Sequence, residues 1–189
     1  GDQLHTLSSQ IAKGATDEQI QKSFEELRRI YKQMEWAVGY FMPETARFTN
    51  GPALDEIELE EHAILEAEGM QVLEEWLYPL VDTGQNDEMQ RMIKKLSNKS
   101  LAIDTYFQAN DISMPQLMDA LRSQIFRITT LGITGFDTPV SGTGLKEAGW
   151  SLNGVADIIY KCRTMFKNEA LVDTLFNHIA LARRELDKV

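Results

Sequence analysis

Residues 16–41 read TDEQIQKSFEELRRIYKQMEWAVGYF, and this segment decides the fold. It opens with a capping box, because Thr16 can accept a hydrogen bond from a free backbone N–H group and Gln19 stands three residues later. Two acids in the first turn also suit the positive end of the helix dipole. Apolar side chains then recur every three or four residues, at Ile20, Phe24, Leu27, Tyr31, Met34, Val38 and Phe41. This spacing predicts one long amphipathic helix with a continuous buried face.

The same periodicity extends outward from this helix over most of the chain. Ser113-Met114-Pro115-Gln116 combines an N-cap residue, an early proline and a capping-box glutamine, which marks another strong helix start. No window alternates apolar and polar residues as a half-buried strand requires. We therefore predict an all-α fold, a single antiparallel helical bundle of about six to seven helices over residues 1–189. The predicted helices cover roughly residues 4–13, 16–41, 70–80, 86–109, 113–131, 145–166 and 168–186.

Residues 43–66 interrupt the helical pattern. They contain Pro43, the turn sequence Asn50-Gly51-Pro52 and many acidic residues from Asp55 onward. Proline cannot continue a helix, and Asn, Gly and Pro together favour a turn. We interpret the segment as a long irregular connection that contains only short turns and packs as a strap over the bundle. Connections of this length in compact domains are either functional or disordered.

Composition excludes several classes of function. The 19 Lys and Arg residues against 29 Asp and Glu residues give a net charge of −10, which opposes nonspecific binding to nucleic acid or to an anionic membrane surface. No apolar stretch approaches the ~20 residues of a membrane helix, so we do not expect an integral membrane protein. Cys162 is the only cysteine, which excludes an internal disulfide, a cysteine-based metal site and Cys-x-x-Cys-His haem attachment within these residues. We expect no cofactor in this chain.

Familiar catalytic and metal-binding patterns are missing from the sequence. His62 and Glu66 are four residues apart, but carboxylate-bundle metal sites use Glu-x-x-His, and residue 59 is leucine. We interpret His62 as an exposed residue of an acidic segment. The sequence contains no Gly-x-Ser-x-Gly, and residues 141–144 lack the lysine of a phosphate-binding loop. We therefore expect neither a metal site nor an enzyme.

Four charged residues stand among apolar neighbours on predicted helices or in the loop that follows them: Glu74, Arg122, Arg127 and Asp137. Buried charges need partners, because desolvation costs several kcal/mol per ion. We predict that Glu74 and Arg127 lie within direct or one-water hydrogen-bonding reach in the bundle interior, with Arg122 as the main competing partner. The same residues can instead line a pocket, and both interpretations stay open.

Three runs of sequence carry a resemblance to a known family. Residues 126–139 read FRITTLGITGFDTP, and they are accompanied upstream by Asn50-Gly51-Pro52 and by residues 69–74, GMQVLE. Together they resemble the imelysin-like helical domain that stands N-terminal to bacterial di-haem cytochrome c peroxidase modules. The resemblance covers most of the chain, and the run from Leu131 to Pro139 is its most specific part. It implies export to the periplasm and a haem-containing module beyond Val189.

The resemblance also indicates a motif to examine. Imelysin relatives carry Gly-x-His-x-x-Glu, which is associated with a proposed metal or peptidase site, and the matching residues here are Gly69, Gln71 and Glu74. Gln71 replaces the imidazole with an amide that binds transition metals poorly. A metal site or a peptidase, the third alternative, would therefore lack a ligand.

Two functions follow from these observations. The first is a non-catalytic periplasmic module that docks onto or scaffolds a haem peroxidase module, with an acidic surface suited to a basic electron-donor protein. The alternative is an imelysin-like ligand-binding protein linked to iron uptake, with a pocket around Gln71, Glu74 and Arg127.

Overall fold

The protein is described by a computed structural model that covers residues 1–58 and 63–188. These residues are predominantly helical, which confirms the predicted all-α class at this level. No helix in the described ranges is both long and apolar enough to cross a bilayer. The elements are α1 (Asp2–Ala12), α2 (Asp17–Phe41), α3 (Pro43–Asn50), β1 (Glu56–Glu58), β2 (Ala63–Leu65), α4 (Met70–Leu77), α5 (Asn86–Ala109), α6 (Met114–Arg127), α7 (Gly144–Lys161) and α8 (Glu169–Leu186).

Helix α2 is the central element of the fold. Its predicted capping box is confirmed, because Thr16 Oγ1 accepts from the backbone N–H of Gln19 at 3.4 Å and Gln19 Oε1 accepts from the backbone N–H of Thr16 at 3.2 Å. The helix packs against α1, α3, α4, α6 and α7. One apolar core joins α1, α2, α4 and α5, and a second joins α6, α7 and α8 with Trp36 of α2. Because α2 contributes to both cores, its polar residues can be enclosed between other helices.

Helices α2 and α7 approach each other closely at Gly154. A Cβ atom built on Gly154 would lie 2.0 Å from the carbonyl oxygen of Gln33 and 2.7 Å from its carbonyl carbon. Glycine is therefore favoured at this crossing, because the atoms that would clash belong to the backbone of α2 and can yield only if the two helices move apart.

The structure differs from the sequence prediction in the segment 43–66. Residues Pro43–Asn50 form helix α3, so the expectation of short turns alone is wrong for this part. With α3 the described residues contain eight α-helices, more than the six to seven predicted. Pro43 begins the new helix as well as ending α2, because proline is favoured in the first turn of a helix. Strands β1 and β2 pair antiparallel, with Ile57 opposite Ile64, so the statement that no strand is present is also wrong. The interpretation of His62 as an exposed residue lies outside the described residues.

Helix α6 leads into an irregular segment that returns over α2 and α7. Its last turn continues as a single π-helical turn over Ile128–Gly132. The following residues, 133–143, form turns and include Gly135 and Gly142 with φ of 75° and 68°, a conformation that glycine adopts without strain. This loop carries Asp137 into the interior, where it is buried.

Candidate functional site

The most unusual feature of the interior is a group of six charged side chains, which we call the charged cluster. Arg28, Lys32 and Glu35 come from α2, Arg127 from α6, Asp137 from the 133–143 loop and Glu147 from α7. Five of them are almost completely buried, and the Arg127 side chain is 32% exposed. Three cations face three anions, so the cluster as a whole is neutral. That balance is what makes its burial possible, since an uncompensated charge would cost several kcal/mol.

Arg28 connects α2 to three other parts of the chain. Its guanidinium forms a two-pronged ion pair with Glu147, in which Nη2 lies 2.8 Å from Oε2. It also donates to Asn50 Oδ1 at 2.9 Å and to the backbone carbonyl of Asp137 at 2.9 Å. Burial opposes the charged form, but the hydrogen bonds and charge of Glu147 outweigh burial and raise the pKa of Arg28. Arg28 is therefore a permanently charged structural link.

Lys32 lies one turn beyond Arg28 on α2, and Glu35 lies two turns beyond it. Lys32 Nζ donates to Glu35 Oε1 at 2.9 Å and to Asp137 Oδ2. Glu35 Oε2 also accepts from Gln124 Nε2 at 2.8 Å. Burial alone would raise the pKa of Glu35, but the charges of Lys32 and Arg127 outweigh it and hold the pKa below the usual value of a glutamate. Glu35 is thus a stable carboxylate with both oxygens occupied.

Arg127 completes the cluster at its exposed edge. Its Nε donates to Glu35 Oε1 at 2.9 Å, and its Nη2 donates to Asp137 Oδ1 at 2.8 Å. Burial works against the charge, but both carboxylates raise the pKa of Arg127 above its already high ordinary value. Within the described residues its Nη1 forms no hydrogen bond. The guanidinium is therefore fixed in orientation while keeping donor capacity on one side.

Two of the predicted site residues, Arg127 and Asp137, belong to the charged cluster, and two others border it. Gln71 is buried and donates to the backbone carbonyl of Asn50 at 3.0 Å. Glu74 has no exposed surface and accepts from the backbone N–H of Ser141 at 2.9 Å through Oε1. Both residues hold segments that surround Arg28.

The direct Glu74–Arg127 pair predicted from the sequence does not form. Arg127 is bound to Glu35 and Asp137, whereas Glu74 binds Ser141 of the loop. Asp137 and Glu35 pair with Arg127 because both lie beside it on adjoining segments. Truncation of Glu74 therefore does not strand the charge of Arg127.

Arg122 is also misplaced by the sequence prediction. Its side chain is exposed and pairs with Asp119 at 2.9 Å, one turn earlier on α6. Arg122 and Arg127 are five residues apart, which places them about 140° apart around a helix. Arg122 therefore cannot share the interior position of Arg127.

The sequence prediction missed Arg28, Lys32, Glu35 and Glu147. A signal for three of them was present in the amphipathic stripe of α2, because Arg28, Lys32 and Glu35 follow Phe24 by four, eight and eleven residues and so share its buried face. Charged residues on an apolar face indicate a buried polar network. No comparable pattern identifies the partner Glu147, which is 119 residues from Arg28.

A cleft opens beside the exposed edge of the charged cluster, and we call it the Arg127 cleft. Its volume is about 490 Å³, within the usual range of small-molecule sites. Its polar lining includes Arg127, Glu35, Asn50 and Arg47. Its remaining lining is largely apolar and aromatic and includes Tyr31, Trp36, Gly39, Tyr40, Pro43, Pro52, Phe126, Leu131 and Phe136. Phe126 is 64% exposed although it lies beside this cleft.

Glu74 makes the stability of the folded domain depend on pH. Burial raises the pKa of Glu74, and hydrogen bonding to Ser141 and the charge of Arg28 only partly oppose this effect. Because the pKa of Glu74 is higher in the folded chain than in the unfolded chain, proton binding by Glu74 stabilises the folded protein. This stabilisation is complete below the unfolded pKa and is lost as pH rises through the folded pKa. Glu74→Gln, which cannot ionise, should therefore gain stability relative to the unmodified protein as pH rises.

Urea unfolding of Glu74→Gln across the acid to neutral range measures this gain, which we expect to grow as pH rises through the range in which Glu74 ionises. Glu75→Gln is the matched control, because Glu75 is the exposed neighbour of Glu74. Parallel stability curves for Glu74→Gln and the unmodified protein would contradict the prediction.

The site combines fixed charges with an open apolar cleft. Glu35 is a poor general base, since its oxygens already accept hydrogen bonds and its pKa is lowered. In the described part of the chain no group of three or more His, Cys, Asp or Glu side chains is arranged to hold a metal ion. The arrangement can bind and orient a molecule.

Comparison with known proteins finds no family model and no curated protein that matches the sequence, and no solved structure that matches the fold.

Proposed function

We propose that this domain binds a small molecule in the Arg127 cleft and performs no chemistry on it. The observation that carries the proposal is the guanidinium of Arg127, which two carboxylates hold in place while one nitrogen stays available beside aromatic walls. Sites that combine an apolar lining with a few fixed polar groups are typical of ligand recognition. Fixing Arg127 before binding also lowers the entropy cost of binding.

This proposal takes up the imelysin-like ligand-binding alternative, with its link to iron uptake, but places the ligand elsewhere than predicted. Arg127 lines the cleft, whereas Gln71 and Glu74 do not. Two of the runs that carry the resemblance lie close together, because Glu74 binds Ser141 of the loop that carries Asp137. Imelysin-like membership and an antiparallel bundle arrangement are parts of the same proposal.

Filling the cleft tests the function. Gly39 lies in α2 on the cleft lining, and a Cβ added there meets no atom within 4 Å, so Gly39→Leu should fill the cleft without disturbing the helix. Three single-ring probes, benzamide, benzoate and benzylamine, are titrated separately and followed by NMR. We expect at least one probe to bind the unmodified protein and to lose binding in Gly39→Leu.

Gly149→Leu is the matched control for this experiment. Gly149 also lies in a helix with open space at its Cβ position, but it does not line the Arg127 cleft. This variant should bind the probes as the unmodified protein does. Failure of all three probes to bind, or equal binding to Gly39→Leu, would refute the proposed function.

A second candidate function, a periplasmic docking or scaffolding module for a di-haem peroxidase, is favoured by the charge of the chain. The net charge is −10, and Asp55 and Glu66 contribute exposed acids beside the short hairpin. Such a surface attracts a basic electron-donor protein and speeds its association. Surface plasmon resonance with a basic c-type cytochrome and with the peroxidase module measures this, and we expect binding that weakens as salt is raised and in Glu66→Lys. No binding, or binding insensitive to salt, would contradict it.

A further inference from the structure

We infer that the ligand of the Arg127 cleft is an uncharged aromatic molecule that presents a carbonyl-type oxygen to Arg127 and Asn50. This inference rests on the proposed function and names the chemical class of its ligand. Three observations on the described residues carry it: the charge balance of the cluster, the polar atoms left without partners, and the composition of the walls.

The charge balance disfavours an ionic ligand. Arg127 is already paired with Glu35 and Asp137, and Lys32 bridges the same two carboxylates. Arg28 is paired with Glu147, and Arg47, another cation of the cleft lining, is paired with Glu44 at 3.6 Å. An added carboxylate or ammonium would enter a site with no opposite charge left to neutralise it, and a desolvated ion is costly without a partner. An uncharged ligand avoids that cost.

The unpartnered atoms identify the polar group of the ligand. Asn50 is 2% exposed, and its Oδ1 accepts from Arg28 Nη1 at 2.9 Å, which fixes the orientation of the amide. The amide nitrogen Nδ2 is then buried with no acceptor. Arg127 Nη1 is the second donor without a partner among the described residues. Asn50 Nδ2 calls for an acceptor oxygen, because an unsatisfied buried donor carries a desolvation penalty. Arg127 Nη1, at the exposed edge of the charged cluster, can donate to the same oxygen.

The walls identify the body of the ligand. Five aromatic rings line the cleft: Tyr31, Trp36, Tyr40, Phe126 and Phe136. Tyr40, Phe126 and Phe136 are exposed, at 38%, 64% and 47%. Aromatic side chains gain most from contact with another flat ring, in stacked or edge-to-face geometry. A ring-containing ligand would cover surfaces that the chain leaves open.

The three probes distinguish this class from its alternatives, because benzamide, benzoate and benzylamine share one ring and differ in charge. We expect benzamide to bind about tenfold more tightly than benzoate or benzylamine. Its binding should disappear in Gly39→Leu and persist in Gly149→Leu.

Two further variants locate the donors. Asn50→Asp keeps an oxygen for Arg28 but replaces the unpartnered NH₂ group with a second oxygen. Arg127→Lys keeps a charge for Glu35 and Asp137 but removes the fork that carries Nη1. We expect each variant to weaken benzamide binding by about tenfold. In a variant that is folded, this loss reflects the changed donor and not a change in stability. Circular dichroism and thermal unfolding establish that the variants are folded.

The outcomes separate the inference from the proposed function. Tighter binding of benzoate or benzylamine, or equal binding of all three, would overturn the uncharged class while leaving the Arg127 cleft as a binding site, provided that Gly39→Leu abolishes it. Unchanged benzamide binding in folded Asn50→Asp and Arg127→Lys would overturn the assigned donors. Absence of binding by every probe would overturn both the function and the ligand class.

Discussion

Arg28→Met lowers the free energy of unfolding by about 3–5 kcal/mol, the expected result for breaking a buried ion pair by removal of one partner. The methionine fills part of the space but leaves Glu147 as an uncompensated buried carboxylate. It also leaves Asn50 Oδ1 and the Asp137 carbonyl without the donors they have in the folded protein. Urea unfolding followed by circular dichroism measures the loss.

Arg29→Met is the matched control for this experiment. Arg29 is the next residue of α2 and also forms a two-pronged ion pair, with Glu26, but its side chain is 38% exposed. Exposed pairs are typically worth under about 1 kcal/mol, so this variant should unfold almost as the unmodified protein does. The double variant Arg28→Met with Glu147→Met should recover part of the loss, because it removes the stranded charge. Equal effects of Arg28→Met and Arg29→Met would contradict the assignment of Arg28 to a buried cluster.

Gly154→Ala is the second large effect we expect, a destabilisation on the order of 3 kcal/mol or more. The added Cβ would lie 2.0 Å from the Gln33 carbonyl oxygen, so α2 and α7 must move apart. Alanine has a higher helix propensity than glycine, by about 1 kcal/mol. The expected destabilisation by the clash is larger than this gain. Thermal and urea unfolding measure it, and loss of a cooperative transition is the extreme form of the same result.

Gly149→Ala controls for helix propensity in the same helix. A Cβ at Gly149 meets no atom within 4 Å, so this substitution should stabilise the domain by up to about 1 kcal/mol. Opposite signs for Gly149→Ala and Gly154→Ala are the expected outcome. A stabilised Gly154→Ala would show that α2 and α7 do not approach each other as the structure indicates.

The main helices could be predicted from the sequence because their signals are local. Thr16 and Gln19 lie three residues apart, and the stripe that begins at Ile20 depends only on positions within α2. The helix start at Ser113 is equally local, since Gln116 Oε1 accepts from the Ser113 backbone N–H at 3.0 Å. Patterns of this range are decided by helix geometry alone, before tertiary contacts form.

Helix α3 and the hairpin were not predicted because neither has an unambiguous sequence signal. Pro43 ends one helix and also suits the first turn of the next. The hairpin strands are three residues long, too short for an alternating pattern to be distinguished, and Ile57 and Ile64 are both exposed. Neither element has a sequence signal longer than its own few residues.

The candidate site was predicted only in part because its partners are distant in the sequence. Arg127 and Asp137 could be recognised as charges in apolar surroundings, but the choice between Glu74 and Glu35 as the partner of Arg127 depends on how α2, α4 and α6 pack. The spacing of Arg28 from Phe24 does place it on the buried face of α2, although the sequence prediction did not use this signal. Nothing in its neighbourhood indicates Glu147, because pairing over 119 residues is decided by the tertiary fold.

The sequence distances within the charged cluster also bear on the kinetics of folding. Lys32 and Asp137 are 105 residues apart, and Arg28 and Glu147 are 119 apart, so the cluster cannot close until α2, α6, α7 and the 133–143 loop have come together. Contacts between residues so far apart in the sequence form late in folding. Side chains that stay hydrated until then stabilise the folding transition state only a little. We therefore expect stopped-flow measurements to show that changes in the cluster mainly accelerate unfolding. They would shorten the lifetime of the folded domain while leaving its rate of folding nearly unchanged.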